Sequence, residues 1–205
     1  MPVLDFWYEF ASTYSYPAAM RVEALAGQSG VTVRWRPFLL GPLFFEAGWR
    51  DSPFNIYPVK GRYMWRDLER ICDSLSLPFA RPDPFPQSTL LVARVALAIE
   101  ERLRPAFSRA VYDAEFAKGR AIADRAVVAE LLSEIGADAE AMLGRAESPE
   151  NKAALKAVCE EAKVLGLPGA PCFVTESGEI FWGNDRLEAA LDWALRGETR
   201  EEARR

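Results

Sequence analysis

The stretch "FASTYSYP", residues 10–17, decides how the rest of the chain is read. It ends the run "VLDFWYEF" (3–10), which is β-branched, aromatic and mostly apolar, as in a strand buried on both faces. From Ser12 the pattern changes: Tyr16, Met20, Ala24 and Leu25 recur at helical spacing, and Gly27 is the expected stop. Residues 31–36 ("VTVRWR") then alternate, with Val31, Val33 and Trp35 on one side and Pro37 following. Strand, helix and strand within so short a span predict a parallel pair joined by a right-handed crossover. The turn from first strand to helix carries Ser12 and Ser15, with Thr13 and Tyr14 between them.

Composition narrows what such a turn can do. The chain has 205 residues, 50% of them hydrophobic, enough for one large domain or a domain with an insertion. The net charge is −5 and both signs are scattered without a basic run, which argues against nucleic acid as a partner. The longest apolar runs fall well short of the ~18 residues of a membrane span. The N-terminus "MPVLDFWYEF" lacks a basic segment and carries Asp5 and Glu9, so it is expected to be a mature strand and not a signal peptide. Cys72, Cys159 and Cys172 are dispersed, as expected of reduced packing thiols in a cytoplasmic protein. The chain has no histidine. That removes Ser-His-Asp and Cys-His chemistry and the commonest zinc ligand, so no metal site is expected.

Residues 38–59 hold glycine, proline and aromatics and are expected to form a long ordered loop. A helix should begin near Lys60 and bury Met64, Leu68, Ile71 or Cys72, and Leu75. After the proline-rich connection 77–86, helices are expected over 88–103, 105–118 and 124–135. Ser148 and Pro149 then open one that stops at Gly166. "PCFVT" (171–175) and "EIFW" (179–182), around Ser177-Gly178, predict a hairpin, and "GNDRLEAALDWAL" opens the last helix. The order is β-α-β, about five helices, then β-β-α. The two ends are expected to share one four-stranded sheet with helices on both faces, an α/β fold.

In this order the chain resembles the thioredoxin fold in its DsbA-like form. Ser12-Thr13-Tyr14-Ser15 stands where redox members carry Cys-x-x-Cys, and "GAPCFV" (169–174) is similar to the segment holding the fold's cis-proline. "FWGNDRLEAAL" (181–191) and "KGRYMWRDLER" (60–70) resemble segments of 2-hydroxychromene-2-carboxylate isomerases and kappa-class glutathione transferases. The resemblance covers essentially the whole chain. It implies a thioredoxin-like domain of residues 1–37 plus 165–197, a helical insertion domain of 38–164, and a solvated tail of 198–205. It also implies glutathione as cofactor, a small aromatic-derived carboxylate as substrate, and a homodimer, since relatives are often dimeric.

The residues carry plain structural readings beside these functional ones. Ser12 suits a helix N-cap; the same geometry lets its hydroxyl donate to a glutathione thiolate at a helix start, where unpaired N–H groups favour an anion. A serine nucleophile would need a neighbouring base, and no histidine exists to serve. Ser15, Tyr14 and Tyr16 are read as supporting or packing residues. Pro171 either starts a strand or forms a cis bond that opens the Ala170 N–H and C=O to the cysteinyl part of glutathione. Asn184 and Asp185 either cap the last helix or hold the γ-glutamyl group, Asp185 its ammonium and Asn184 its carboxylate. Lys60, placed against the dipole of a helix start, is a candidate for the glycyl carboxylate or an acidic substrate. Asn55 is a candidate substrate donor. Trp49, Phe54, Tyr57 and Trp65 either line an aromatic pocket or pack.

Three functions remain: an isomerase or transferase using glutathione, a disulfide oxidoreductase, and a non-catalytic binding module. Thiol exchange needs a thiolate at the turn, which the two serines deny.

Overall fold

The structure, a computed structural model, describes residues 1–202. Four strands form one sheet among them: β1 (Val3–Tyr8), β2 (Thr32–Pro37), β3 (Cys172–Thr175) and β4 (Ile180–Trp182), in the order β2-β1-β3-β4. β1 runs parallel to β2 and antiparallel to β3, and β3 is antiparallel to β4. This is the expected mixed sheet of a DsbA-like thioredoxin fold. Helix α1 (Ser15–Ser29) joins the parallel pair, and α10 (Leu187–Glu202) closes the fold. The last helix thus continues into the expected tail, whose residues 203–205 lie outside the described residues.

Cross-strand packing explains why this sheet forms. Phe6 stands opposite Trp35 on one side and Phe173 on the other. Its ring meets Trp35 edge-on at 4.9 Å and stacks on Phe173 at 5.4 Å. Trp7 points the other way, against Phe38 and under the Arg36 guanidinium, 4.6 Å from the ring centroid. Both faces of β1 are therefore buried, as its uninterrupted apolar run predicts.

Eight α-helices lie between β2 and β3 among the described residues, where about five were expected: α2 (Leu40–Glu46), α3 (Pro53–Ile56), α4 (Pro58–Ser74), α5 (Leu90–Ala98), α6 (Arg104–Tyr112), α7 (Arg125–Glu134), α8 (Ala139–Ala146) and α9 (Pro149–Val164). The segment 38–59 is thus no plain loop. Ser52 caps α3, and a proline stands at the start of both α3 and α4. α8 is opened by Asp138, whose carboxylate accepts the Ala141 N–H at 3.0 Å. The span 88–103 breaks at Ile99, whose backbone is extended, a 3₁₀ turn over Glu101–Leu103 follows, and α6 opens at Arg104 and passes into a π-helical turn at Asp113–Ala117. The expected caps Asp124 and Ser148 accept N–H groups of Ala126 and Asn151.

Two expectations for α1 are corrected. It starts at Ser15, not Ser12, and it ends against Gly30, whose φ of 70° gives the left-handed cap; Gly27 is an ordinary helical residue. Its buried face is Ala18, Ala19, Val22 and Ala26, while Ala24 is exposed.

The glycines of two helices give opposite expectations. Alanine is favoured over glycine in a helix interior by about 1 kcal/mol. At Gly27 of α1 an added methyl meets open space, so Gly27→Ala should stabilise by up to that amount. At Gly61 of α4 the methyl would run into the Phe54 carbonyl oxygen, which is backbone and cannot step aside. Overpacking costs about 1–3 kcal/mol, so Gly61→Ala should destabilise. Urea unfolding checks both; two stabilised variants would contradict the packing of α3 on α4.

Candidate functional site

β1 lies in the middle of the sheet, so the turn that follows it emerges beside the segment entering β3. There the Ser12 hydroxyl donates to the Ala170 carbonyl at 2.9 Å, and the Ala170–Pro171 peptide is cis. Ser12 is 9% exposed. It caps no helix: α1 begins three residues later, behind Tyr14, with no side-chain cap. Its backbone instead knits the turn, the N–H donating to the Glu9 carbonyl and the C=O accepting from Ser15, each at 3.0 Å.

Neighbouring elements clamp both sides of the turn. Thr13 donates to the Met64 sulfur, and Tyr14 donates to the Asp67 carboxylate at 3.0 Å, so α4 is fastened against it. On the β3 side, the Gly183 N–H donates to the Pro171 carbonyl at 2.9 Å. Gly183 has φ 115°, a conformation that favours glycine. Trp182 lies against Gly169, where a Cβ would meet its indole nitrogen, yet its side of the molecule leaves it 56% exposed. Ser12, Ala170, Pro171, Gly183 and Asn184 therefore form one continuous rim.

Asn184 and Asp185 sit in a 3₁₀ turn before α10, without a side-chain cap, so the capping reading is corrected. Arg21 of α1 holds Asn184, donating to its backbone carbonyl at 3.1 Å and its Oδ1 at 3.0 Å, and donates to Glu188 at 2.6 Å. The Asn184 amide oxygen is thus committed, which orients its NH₂ group. The Asp185 side chain is 73% exposed, with Arg186 3.5 Å away. Lys60 is exposed in the first turn of α4, its ammonium 4.7 Å from the Tyr57 ring centroid. The Asn55 amide donates to the Asp51 carboxylate and, at 3.3 Å, to the Phe85 carbonyl. Trp49 packs on Phe44, and Trp65 on Phe79 and Phe85. These partners are separate and do not join Trp49, Tyr57 and Trp65 into one contact.

All three cysteines are buried and unpaired. Burial pushes the Cys72 thiol up to about 11 and the Cys172 thiol to about 12; Cys172 donates to the Gly169 carbonyl. None stands as a thiolate at the turn.

Arg21, Trp182 and Glu9 are the residues that sequence reasoning passed over. Glu9, an acid at the end of an apolar strand, was the one visible signal. It is buried and accepts from the Thr89 hydroxyl, and its backbone carbonyl also takes the Tyr112 hydroxyl at 2.9 Å. Burial raises its carboxyl to about 7 against hydrogen bonds that lower it. Glu115, in the π-helical turn, is 0% exposed with neither oxygen hydrogen-bonded, and burial followed by the neighbouring Glu9 raises it further. Burial therefore favours the neutral form of Glu115 and, below about pH 7, of Glu9.

Residues 3–193 match the model of the DSBA-like thioredoxin domain. A 2-hydroxychromene-2-carboxylate isomerase of Sphingobium xenophagum is 28% identical over 193 residues, 94% of this chain and 97% of that protein. Glutathione S-transferase kappa 1 of Caenorhabditis elegans is 30% identical over 116 residues, 54% of this chain and 50% of that protein. A solved structure of 2-hydroxychromene-2-carboxylate isomerase superposes with a TM-score of 0.85 at 24% identity, covering 98% of each chain, a likeness of fold. Among the described residues no helix is long and apolar enough to cross a membrane.

Glu9 makes stability depend on pH. With its carboxyl raised from 4.5 to about 7 on folding, it keeps a proton that the unfolded chain has released. That contribution is whole below about pH 4.5 and is lost as pH rises through about 7. Glu9→Gln should remove the loss. Its stability relative to the unaltered protein should rise by on the order of 3 kcal/mol between about pH 5 and about pH 8. Denaturant unfolding at both values tests this, and a pH-independent difference would contradict it.

Proposed function

The chain belongs to the DsbA-like thioredoxin family, and on that premise we propose that it is a glutathione-dependent isomerase of the 2-hydroxychromene-2-carboxylate type, working in the cytoplasm in the breakdown of aromatic compounds. The observation that carries this reading is the hydrogen bond from Ser12 to Ala170 beside the cis Pro171. A redox turn keeps its shape there with a hydroxyl in place of sulfur, and all three cysteines are buried, Cys172 beside Pro171 included. The thiol must then arrive on a ligand. The isomerase relative, which spans nearly the whole chain, supports the reaction class.

The residues present fit a thiol tripeptide. Glutathione, when bound, supplies a thiolate that adds reversibly to a conjugated carbonyl substrate and so frees rotation about its double bond. Ser12 has one hydroxyl proton, now given to the Ala170 carbonyl. Turning it toward sulfur exchanges a neutral hydrogen bond worth about 0.5–1.5 kcal/mol for one to a charged group worth about 1.5–3 kcal/mol. The same turn frees the Ala170 carbonyl to accept the ligand's cysteinyl N–H. Both halves of the site are thus self-satisfied before binding and exchange partners together. The N-terminus of α1, with no acidic residue in its first turn, adds a favourable field for the anion.

Ser12 itself is no nucleophile in this account. Its partner is an amide carbonyl, which takes no proton at neutral pH. Asp185, exposed on the rim, would hold the ligand's ammonium, and the oriented NH₂ of Asn184 its carboxylate. Lys60 would meet the glycyl carboxylate. The helical block over 38–164 would cover the substrate and select it.

A second reading, conjugation of glutathione to an electrophile, is favoured by the kappa-class relative. The two differ in bookkeeping of the thiol: an isomerase returns it and a transferase consumes it.

Thermal unfolding with glutathione and with its serine analogue tests the proposal. Glutathione should raise the midpoint and the analogue should not; no shift with any glutathione species would overturn the reading. Ser12→Ala should lower turnover about 10- to 100-fold, the loss of a hydrogen bond to a charged group. Full activity in that variant would remove Ser12 from the site.

A further inference from the structure

The site is built unequally at its two ends. Near the start of α10, polar groups hold one another in place. Arg21, whose side chain is 19% exposed, donates from Nη2 to the Asn184 carbonyl and to Asn184 Oδ1, and from Nη1 to Glu188. Asn184 itself is 7% exposed. An amide whose oxygen takes a guanidinium N–H cannot flip without losing a charge-assisted hydrogen bond, and that bond polarises its own N–H groups. The Asn184 NH₂ group donates to nothing among the described residues. On the next residue, the Asp185 carboxylate folds back over Gly183, where a Cβ would lie 2.6 Å from Asp185 Oδ1. An oriented donor and a carboxylate on adjacent residues complement the carboxylate and ammonium of an α-amino acid.

Arg21 also spans the site. It stands on α1, the helix into which the Ser12 turn leads, and its partners lie in the 3₁₀ turn and on α10. One side chain thus ties the turn's helix to the Asn184 corner, so their separation is set before a ligand arrives. Such preorganisation removes part of the entropy cost of binding.

The Lys60 end has no such frame. Lys60 is exposed in the first turn of α4 and joins no ion pair among the described residues. Its ammonium lies over the ring of Tyr57, which is itself 43% exposed. An exposed cation on a flexible stem attracts an anion weakly, is screened by salt, and distinguishes poorly between one carboxylate position and another.

We propose that the site recognises γ-glutamyl thiols as a class, with Arg21 as the positioning residue that sets this selectivity by fixing Asn184, and with the glycyl end left nearly unread. The proposal rests on the glutathione reading above. It means that γ-glutamylcysteine, which lacks the glycine, is accepted. Cysteinylglycine, which keeps the thiol and the glycine but lacks the γ-glutamyl group, is refused.

Calorimetric titration of the full chain with these two thiols and glutathione, under reducing conditions, tests it. In the unaltered protein γ-glutamylcysteine should bind within about fivefold of glutathione, the weight of one exposed charge. Cysteinylglycine should bind at least about tenfold more weakly. Arg21→Gln should close most of the gap between glutathione and cysteinylglycine and leave the ratio of glutathione to γ-glutamylcysteine unchanged. A residue that only supported the fold would weaken all three thiols together. Arg21→Lys keeps the charge but not the fork that serves Asn184 and Glu188 at once, so it should give an intermediate gap even if the glutamine variant folds poorly. In an Asn184→Ala background, Arg21→Lys should have no further effect on the gap. Glutathione and cysteinylglycine binding equally, or both Arg21 variants weakening the three thiols alike, would overturn the proposal and leave the glutathione reading standing. Failure of all three thiols to bind the unaltered protein would overturn both.

Discussion

The antiparallel register of β1 on β3, with Trp7 opposite Cys172, is the constraint on which the site depends. It brings the end of a strand near the N-terminus beside a segment about 160 residues later, as the Ser12–Ala170 hydrogen bond records. The register is held by the aromatic row through Phe6, Trp35 and Phe173, and a slip of one residue would turn that row to the opposite face. Helical additions between β2 and β3 can vary without disturbing this meeting. They fasten onto it from outside, α4 through Thr13 and Tyr14 and α5 through Thr89 and Glu9.

The turn so placed holds polar groups that satisfy one another. A hydroxyl answers a carbonyl, an arginine on α1 steadies the asparagine before α10, and burial raises both carboxyls below. Neutrality at Glu115 matters for the proposed chemistry. An ionised carboxylate under the turn would oppose a thiolate above it; burial keeps Glu115 protonated, and Glu9 joins it below about pH 7. Their burial thus serves the same end as the helix N-terminus, by keeping competing negative charge away from where the ligand's sulfur would sit.

Much of the fold was legible because it is written in local patterns. The alternation in "VTVRWR", the Ser-Gly turn between two apolar runs, and Ser148 ahead of Pro149 each encode an element within a few residues. Helices α2, α3 and α8 span four to eight residues and leave no clear period; Ser52 and Asp138 cap α3 and α8, and α2 has no side-chain cap to signal it. Gly27 and Gly30 look alike in sequence, and the positive φ that ends α1 belongs to the second. At the site, Ser12 and the cis-proline segment were legible through their resemblance to a redox turn. Arg21 was not, because its partner Asn184 lies 163 residues away and no local pattern couples them. The same distance blindness made Asn184 look like a helix cap, the commoner role for such a residue at that place.

The central claim is that the turn stabilises a sulfur anion it does not itself carry. Ultraviolet titration of the glutathione thiolate, bound to the unaltered protein and to Ser12→Ala, measures that directly. The account predicts a bound thiol that ionises at least about one unit below the ~8.5 of an ordinary thiol, and a Ser12→Ala value shifted back toward it. A bound thiol that titrates as it does free in water, or one indifferent to the loss of the Ser12 hydroxyl, would contradict it.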